Sequence, residues 1–91
     1  MPISQLNACF LGRVQGVGFR YQVLQTAKGF NVTGFIKNLN DGRVELCAQG
    51  ERAELEAFLR EVQSQWEGYV REVEVQYSET ASVLTGFEIA R

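Results

Sequence analysis

The residues that could do chemistry lie in one short segment, Gly16-Val17-Gly18-Phe19-Arg20. Glycine tolerates backbone with φ > 0 and lets the main chain come close to a ligand. A tight turn with two glycines can therefore direct several N–H groups at one point, and a helix N-terminus adds a preference for anions. Arg20 would add a planar, permanently charged group suited to bidentate phosphate binding. The segment predicts a site for a phosphate-sized anion, with the alternative that the glycines only form a tight connection.

The spacing of the glycines matches neither of two common nucleotide-binding motifs. A P-loop requires Gly-x4-Gly-Lys-Ser/Thr, which cannot be read in this segment. The dinucleotide motif would need a third glycine where Tyr21 stands. The anion site is therefore predicted without a nucleotide cofactor.

A change of hydrophobic period places the segment between a strand and a helix. Residues 7–14 alternate between apolar and other residues, which predicts a first strand. From residue 19 to about residue 28 the period is helical, and the inward face would comprise Phe19, Val23, Ala27 and Phe30. Gly29 and Asn31 are the expected terminators of this helix, because both accept left-handed backbone.

The later elements follow the order strand, strand, helix, strand and short strand. They are predicted at residues 32–39, 43–49, 50–67, about 70–78 and 86–89. Asn40-Asp41-Gly42 predicts a hairpin between the first two of these strands. The second helix carries an apolar stripe that comprises Leu55, Phe58, Leu59 and Val62.

The order β-α-β-β-α-β plus a short terminal strand predicts an α+β fold. We expect a ferredoxin-like split β-α-β sandwich, with an antiparallel sheet and two helices on one face. In that topology the first two strands run in the same direction, so their carboxyl ends lie at the same end of the sheet. Asn38, which ends the second strand, should then lie close to the turn at residues 15–20. The alternative role for Asn38 is to satisfy backbone groups near the hairpin.

The composition bounds the class of protein. The 91 residues predict a single domain, residues 1–91, and 45% hydrophobic with 22% charged residues is typical of a globular chain. A net charge of −2 disfavours nucleic acid or an anionic membrane as a partner. We find no apolar run long enough to span a bilayer and no signal peptide, and therefore expect a cytoplasmic protein. A monomer is the default expectation for its oligomeric state.

The sequence contains no histidine, the usual general base near neutral pH and the commonest metal ligand. Cys9 and Cys47 are far apart and have no metal-like spacing. Both fall in predicted strands, where we expect reduced, structural thiols. We therefore expect neither a metal site nor a metal-dependent activity.

Two segments resemble the signatures of the acylphosphatase family. The first is Gly12-Arg13-Val14-Gln15-Gly16-Val17-Gly18-Phe19-Arg20, and the second is Gly34-Phe35-Ile36-Lys37-Asn38, followed by Gly42, Val44 and Gly50. The two occur in the family's order and spacing, and the resemblance extends over nearly the whole chain. Ile36 stands where the family more often has Ala, Val or Cys, and Asn31 where a glycine is common. Neither departure touches a residue that carries the chemistry.

The resemblance implies hydrolysis of acyl phosphates to a carboxylate and inorganic phosphate, with no metal or organic cofactor. It implies that Arg20 holds the phosphate and that Asn38 orients the attacking water. The implied phosphate-binding set is Gln15, Gly16, Val17, Gly18, Phe19 and Arg20. Inorganic phosphate would be both a product and a competitive inhibitor.

Two other classes of function compete with the enzyme. A non-catalytic anion-binding or regulatory module on the same fold would keep the anion site, but Asn38 would have no function in it. An RNA-binding sheet of the RRM type would need aromatic residues on the third strand. Residues 43–49 contain none, so the enzyme is the favoured hypothesis.

Overall fold

The computed structural model describes residues 3–90. Within that range the chain forms β1 (Ile3–Gly12), α1 (Phe19–Ala27), β2 (Thr33–Asn38), β3 (Val44–Gly50), α2 (Arg52–Gln65), β4 (Val70–Thr80) and β5 (Phe87–Ile89). This succession confirms the predicted order of strands and helices. Neither helix in the described range has the length and apolar character needed to cross a membrane.

The strands form one sheet in the order β4-β1-β3-β2-β5. β1 pairs antiparallel with β3 and β4, and β2 pairs antiparallel with β3. β1 and β2 therefore run in the same direction, as predicted, and both end at the same end of the sheet. α1 packs against β2 and β5, and α2 against β1 and β3. The predicted ferredoxin-like arrangement is confirmed.

β5 is the exception to the predicted antiparallel sheet, because it pairs parallel with β2. β4 ends at Thr80, opposite Ile3 at the start of β1. Residues 81–86 then cross to the far edge of the sheet at the end where β2 begins, and Phe87 lies opposite Gly34. From there β5 can only run alongside β2 in the same direction. The prediction of a wholly antiparallel sheet is therefore wrong at this edge.

The side chain of Gln49 holds the 81–86 crossing in place. Its exposed fraction is 3%. Its Nε2 donates to the carbonyl oxygen of Ser82 at 2.9 Å and to Oε1 of Gln5 at 2.9 Å. Its Oε1 accepts from the backbone N–H of Leu84 at 2.8 Å. Both amide hydrogens and the oxygen of this buried carboxamide are thus bonded within the protein.

One cluster of buried apolar side chains fills the space between the helices and the sheet. It contains the predicted stripe of α2 and most of the predicted face of α1, whose last member, Phe30, is half-buried against it. The members are Leu6, Ala8, Phe10, Val14, Phe19, Val23, Ala27, Val32, Ile36, Val44, Leu46, Ala48, Leu55, Phe58, Leu59 and Val62. The hydrophobic periodicity therefore identified the faces that bury apolar area.

β1 occupies Ile3–Gly12 instead of the predicted residues 7–14. It begins earlier because the ladders with β3 and β4 continue beyond the alternating segment. It ends earlier because its register with β4 shifts between Leu11 and Gly12. Beyond the shift, the N–H of Arg13 donates to the carbonyl oxygen of Tyr69 at 2.8 Å. The shift also interrupts the apolar alternation of β4 near its start.

The end of α1 differs from the predicted left-handed termination. Among the described residues no residue other than glycine has a positive φ, and Gly29 does not have one either. The N–H groups of residues 28–30 instead donate to carbonyl oxygens three residues earlier, at 3.0–3.2 Å. The N–H of Asn31 donates to Oε1 of Glu54 at 2.8 Å. A tightened last turn and a carboxylate from α2 therefore terminate the helix.

Candidate functional site

Two left-handed glycines shape the turn between β1 and α1. The φ angles are 75° at Gly16 and 84° at Gly18, and Gly18 is the N-cap residue of α1. A Cβ added at either position would meet no atom within 4 Å. The requirement for glycine therefore comes from backbone conformation, since side chains disfavour positive φ, and not from lack of space.

The N-terminus of α1 presents unpaired backbone donors. The first helical bond runs from the N–H of Gln22 to the carbonyl oxygen of Gly18 at 3.0 Å. Within the described chain, no hydrogen bond from the N–H groups of residues 16–20 is found, and no side chain caps the helix. The first turn also has no acidic residue. The positive end of the helix therefore remains available to an anion.

The side chain of Gln15 joins the 15–20 turn to the β2–β3 hairpin. Its Nε2 donates to the carbonyl oxygens of Leu39 and Arg43, each at 3.0 Å. These two residues also bond each other, N–H of Leu39 to the oxygen of Arg43 at 2.8 Å. The turn is therefore fixed to the hairpin one residue beyond Asn38. The sequence indicated a role for the backbone of Gln15 but not this contact of its amide.

Asn38 lies at the carboxyl end of β2, opposite Val44. It shares the helix-facing side of the sheet with Ile36, since alternate residues of a strand face the same way. Its Oδ1 is fully buried and accepts no hydrogen bond from the described residues. The side chain of Asn38 therefore does not satisfy the hairpin backbone in this part of the chain, which was the structural alternative for this residue.

Arg20 lies in the first turn of α1 and is half-buried. Its guanidinium forms no ion pair with any carboxylate among residues 3–90. Arg20 lines a cavity of about 160 Å³, together with Val14, Gly16, Gly18, Phe19, Tyr21 and Ile89. An unpaired cation, two left-handed glycines and the helix N-terminus thus border one small cavity.

Aromatic packing fixes the start of α1 beneath this cavity. The Phe19 ring is 1% exposed and meets Phe10 and Trp66 edge-on, with ring centroids 5.1 Å and 5.0 Å apart. Trp66 in turn contacts Tyr69 at 5.0 Å. Edge-to-face contacts of this kind hold rings in defined orientations. Trp66 and Tyr69 therefore serve in the packing that supports the start of α1.

The β2–β3 hairpin, which accepts hydrogen bonds from Gln15, also contains an ion pair between Asp41 and Arg43. The Asp41 carboxylate accepts from the backbone N–H of Arg43 at 3.1 Å and from its Nε at 2.8 Å. These bonds, the backbone one first, hold the pKa of Asp41 below its usual value. This ion pair stabilises the turn whose carbonyl groups accept hydrogen bonds from the Gln15 amide.

The structure therefore brings the two predicted groups of residues to one end of the sheet. The model of the family described as Acylphosphatase matches residues 6–89. An acylphosphatase of Trichormus variabilis is 43% identical, with 99% of this chain and 92% of that protein covered. One of Methanospirillum hungatei is 46% identical over 85% of this chain and 87% of its own length. The crystal structure of acylphosphatase from Bacillus subtilis, 33% identical, superposes with a TM-score of 0.87 over 97% of this chain and 99% of that one.

Proposed function

The chain belongs to the acylphosphatase family, and we propose that Arg20, Asn38 and the backbone of residues 15–19 form its active site. It is an acylphosphatase, an enzyme that hydrolyses the carboxyl–phosphate bond. The proposal concerns which groups of this chain perform each part of the reaction. The buried, unpaired Oδ1 of Asn38 is the observation that carries it.

The phosphoryl group binds at the 15–20 turn. It carries up to about two negative charges, which the N–H groups of residues 15–19 and the Arg20 guanidinium are free to receive. Arg20 donates through its planar fork, so it fixes the orientation of the phosphoryl group as well as its charge. Because the fold sets these donors in advance, they need little reorganisation as charge shifts in the transition state.

Asn38 holds the attacking water. A carboxamide cannot act as a base near neutral pH, but its oxygen accepts a hydrogen bond and its NH₂ group donates. The unpaired Oδ1 accepts a hydrogen bond from the water and so directs the water's lone pair at phosphorus. Restricting the water to this position reduces the entropy that must be lost on reaching the transition state. The strand and the Gln15 contact to the hairpin fix that position relative to the phosphoryl site.

The leaving group explains why a site without histidine suffices. An acyl phosphate releases a carboxylate, whose conjugate acid has a pKa of about 4. Such a group departs without protonation by a strong general acid. The positive charge that metal ions supply in other phosphoryl-transfer sites is here assigned to Arg20 and the helix N-terminus. The proposed enzyme therefore requires no metal or organic cofactor.

The proposed partners are small molecules. An acyl phosphate is the substrate, and inorganic phosphate is the product and competes with it at the 15–20 turn. The thiols of Cys9 and Cys47 are free, which fits a reducing compartment, and we place the enzyme in the cytoplasm as a monomer.

The first experiment measures phosphate release from benzoyl phosphate and acetyl phosphate in excess EDTA. We expect turnover that the chelator does not reduce, and competitive inhibition by inorganic phosphate. Activity that EDTA abolishes and Mg²⁺ or Zn²⁺ restores would contradict the assignment of positive charge to Arg20 and the backbone. Absence of hydrolysis of both substrates would contradict the active site as a whole.

The role of Arg20 is tested by Arg20→Lys, which keeps one charge but loses the bidentate fork. We expect loss of most activity and weaker inhibition by phosphate, with an unchanged denaturation midpoint. Arg60→Lys, at an exposed position of α2, is the matched control and should behave as the wild type. Near-normal turnover and phosphate affinity in Arg20→Lys would remove its assigned role.

A further inference from the structure

A second cavity lies where the end of β1 meets the start of β4. It has a volume of about 510 Å³, and its lining includes Gly12, Arg13, Tyr69 and Arg71. It shares no described lining residue with the cavity at the 15–20 turn. Cavities of this size accommodate small organic ligands. The proposed reaction uses none of the side chains that line it.

The backbone around this second cavity is held in a defined shape. The register of β1 against β4 shifts between Leu11 and Gly12, and the N–H of Arg13 donates to the carbonyl oxygen of Tyr69 at 2.8 Å. Gly12 has a φ of 132°, and a Cβ at this position would clash with the same carbonyl oxygen. Register shifts of this kind redirect the side chains that follow them. The irregular end of β1 therefore places Arg13 beside the start of β4.

Two positive charges line the second cavity. Arg13 and Arg71 are both exposed, and the described lining residues include no carboxylate. Neither guanidinium forms an ion pair within residues 3–90. Two unpaired arginines in one cavity are a local exception in a chain whose net charge is −2. Because guanidinium groups bind phosphate and carboxylate through paired N–H donors, the cavity fits an anionic group.

Tyr69 adds an aromatic surface beside the two arginines. Its side chain is 43% exposed, although its ring contacts Trp66 at a centroid distance of 5.0 Å. The guanidinium carbon of Arg13 lies 5.9 Å from the centroid of the Tyr69 ring. Since these contacts already orient the ring, it loses little conformational entropy when a ligand packs against it. An exposed, oriented aromatic ring in a cavity fits a ligand that has a ring of its own.

We propose that Arg13, Tyr69 and Arg71 form a second binding site, for an aromatic anion of about the size of a mononucleotide. The two guanidinium groups bind the phosphate or carboxylate of the ligand, and the exposed part of the Tyr69 ring packs against the ligand's ring. An isolated anion or an uncharged ring engages only some of these side chains, so tight binding requires both parts in one molecule. The site is separate from the 15–20 turn and goes beyond the proposed reaction.

The first test measures the binding of AMP by calorimetry, with adenosine and ribose 5-phosphate as probes that each carry one part of it. AMP should bind at least about tenfold more tightly than either part, because aromatic packing and charge-assisted hydrogen bonds each add affinity. Either part binding as tightly as AMP would overturn the proposal. Absence of AMP binding at millimolar concentrations would overturn it as well.

Variants of the lining residues locate the site. Arg13→Gln and Arg71→Gln should each weaken AMP binding by about tenfold or more, the effect of losing a charge-assisted hydrogen bond. Tyr69→Ala should weaken it by about two- to tenfold, and Tyr69→Phe, which keeps the ring, should bind as the wild type does. Arg60→Gln, at an exposed position of α2 outside the cavity, is the matched control. Wild-type affinity in both Arg13→Gln and Arg71→Gln, or an equal loss in Arg60→Gln, would overturn the site.

The phosphate of AMP also fits the 15–20 turn, and Arg20→Lys separates the two locations. This variant should keep the wild-type affinity for AMP, since Arg20 does not line the second cavity. Arg71→Gln should in turn keep the inhibition by inorganic phosphate. Loss of AMP binding in Arg20→Lys, with normal binding in Arg71→Gln, would place AMP at the 15–20 turn and overturn the second site. Failure of the proposed function would show instead as a wild type that hydrolyses no acyl phosphate, whatever its affinity for AMP.

Discussion

Two carboxamides at opposite ends of the sheet have opposite environments. Gln49, near the end where β2 begins, bonds through Nε2 to Gln5 and Ser82 and through Oε1 to Leu84. Asn38, where β2 ends, has a buried Oδ1 that no described residue satisfies. The same functional group thus serves the fold at one end of the sheet and is left unpaired at the other.

The difference distinguishes a carboxamide that stabilises the fold, at Gln49, from one that is proposed to act in the reaction, at Asn38. A buried polar group without a partner costs about 1–3 kcal/mol, so native proteins leave few of them. At Gln49 that cost is removed by three hydrogen bonds. At Asn38 no described residue removes it, which fits the proposed role of this carboxamide in holding a reactant. Variants at the two positions should therefore fail in opposite ways.

The largest expected effect is on the turnover of Asn38→Ala. Removing the carboxamide removes an interaction made mainly in the transition state, so kcat should fall by a factor on the order of 10² or more. Inorganic phosphate should still inhibit competitively, because the 15–20 turn is intact. The denaturation midpoint should stay the same or rise, since an unpaired buried oxygen is removed. A destabilised variant with wild-type kcat would refute the catalytic role. Asn38 would then be a structural amide, as Gln49 is.

Gln49→Leu should produce the converse result. It leaves the N–H of Leu84 and the carbonyl of Ser82 without their partner, which should lower the free energy of unfolding by about 2 kcal/mol. For a chain of this length that corresponds to a fall in Tm of roughly 8–16 °C. The kcat per folded molecule should equal that of the wild type. Gln76→Leu, at an exposed position of β4, is the matched control. A stable Gln49→Leu variant with impaired kcat would reverse the assignments.

Gln15→Leu should reduce activity less than Asn38→Ala does, and stability less than Gln49→Leu does. Its amide donates to the carbonyl oxygens of Leu39 and Arg43 and so holds the 15–20 turn against the hairpin. We expect kcat/KM to fall about tenfold through misplacement of the phosphoryl group, together with weaker phosphate inhibition and a small change in Tm. Gln22→Leu removes an exposed amide contact to Gln65 and serves as the control. A change in Tm alone, with unchanged phosphate inhibition, would show that Gln15 has no positioning role.

Asp41→Asn should have the smallest effect, visible only in the pH dependence of stability. The pKa of Asp41 is lowered in the folded protein by its bonds to Arg43. Its contribution to stability is therefore complete above the unfolded pKa of about 3.9 and is lost as pH falls through the lower folded pKa. The wild type should be slightly more stable than Asp41→Asn at neutral pH, and the difference in denaturation midpoint should vanish in acid. A difference in denaturation midpoint that grows in acid would contradict a stabilising ion pair between Asp41 and Arg43.

The local hydrophobic periodicity of the sequence was enough to predict which helix faces are buried. The buried faces of α1 and α2 are set by spacings of three and four residues, and Phe19, Val23, Leu55 and Phe58 are all buried. The hairpin signal is likewise local. The proximity of the 15–20 turn and Asn38 follows from topology, because parallel strands end at the same end of the sheet. The roles of Arg20 and Asn38 in the reaction come from the family resemblance and remain proposals.

Features that depend on distant partners could not be predicted. The direction of β5 is decided by where the 81–86 crossing delivers the chain, and three residues carry no pattern for direction. The end of β1 depends on a register shift against a strand near the other end of the chain. The amide of Gln15 bonds to residues 24 and 28 positions away. A glutamine in a turn is compatible with many partners, so its residue type gave no signal for this contact.

The pairing of β1 also governs how the chain acquires its structure. β1 is an inner strand, yet its neighbours come late, because Ser4 pairs with Gly50 and Ile3 with Thr80. Contacts between residues far apart in sequence require loop closure before they gain any stability, so we expect slower folding than in a helical bundle of this length. During synthesis, β1 leaves the ribosome before β3 and β4 and keeps both hydrogen-bonding edges open until these two strands follow. The strand that leads into the phosphate-binding turn is therefore the one exposed longest to mispairing with other chains.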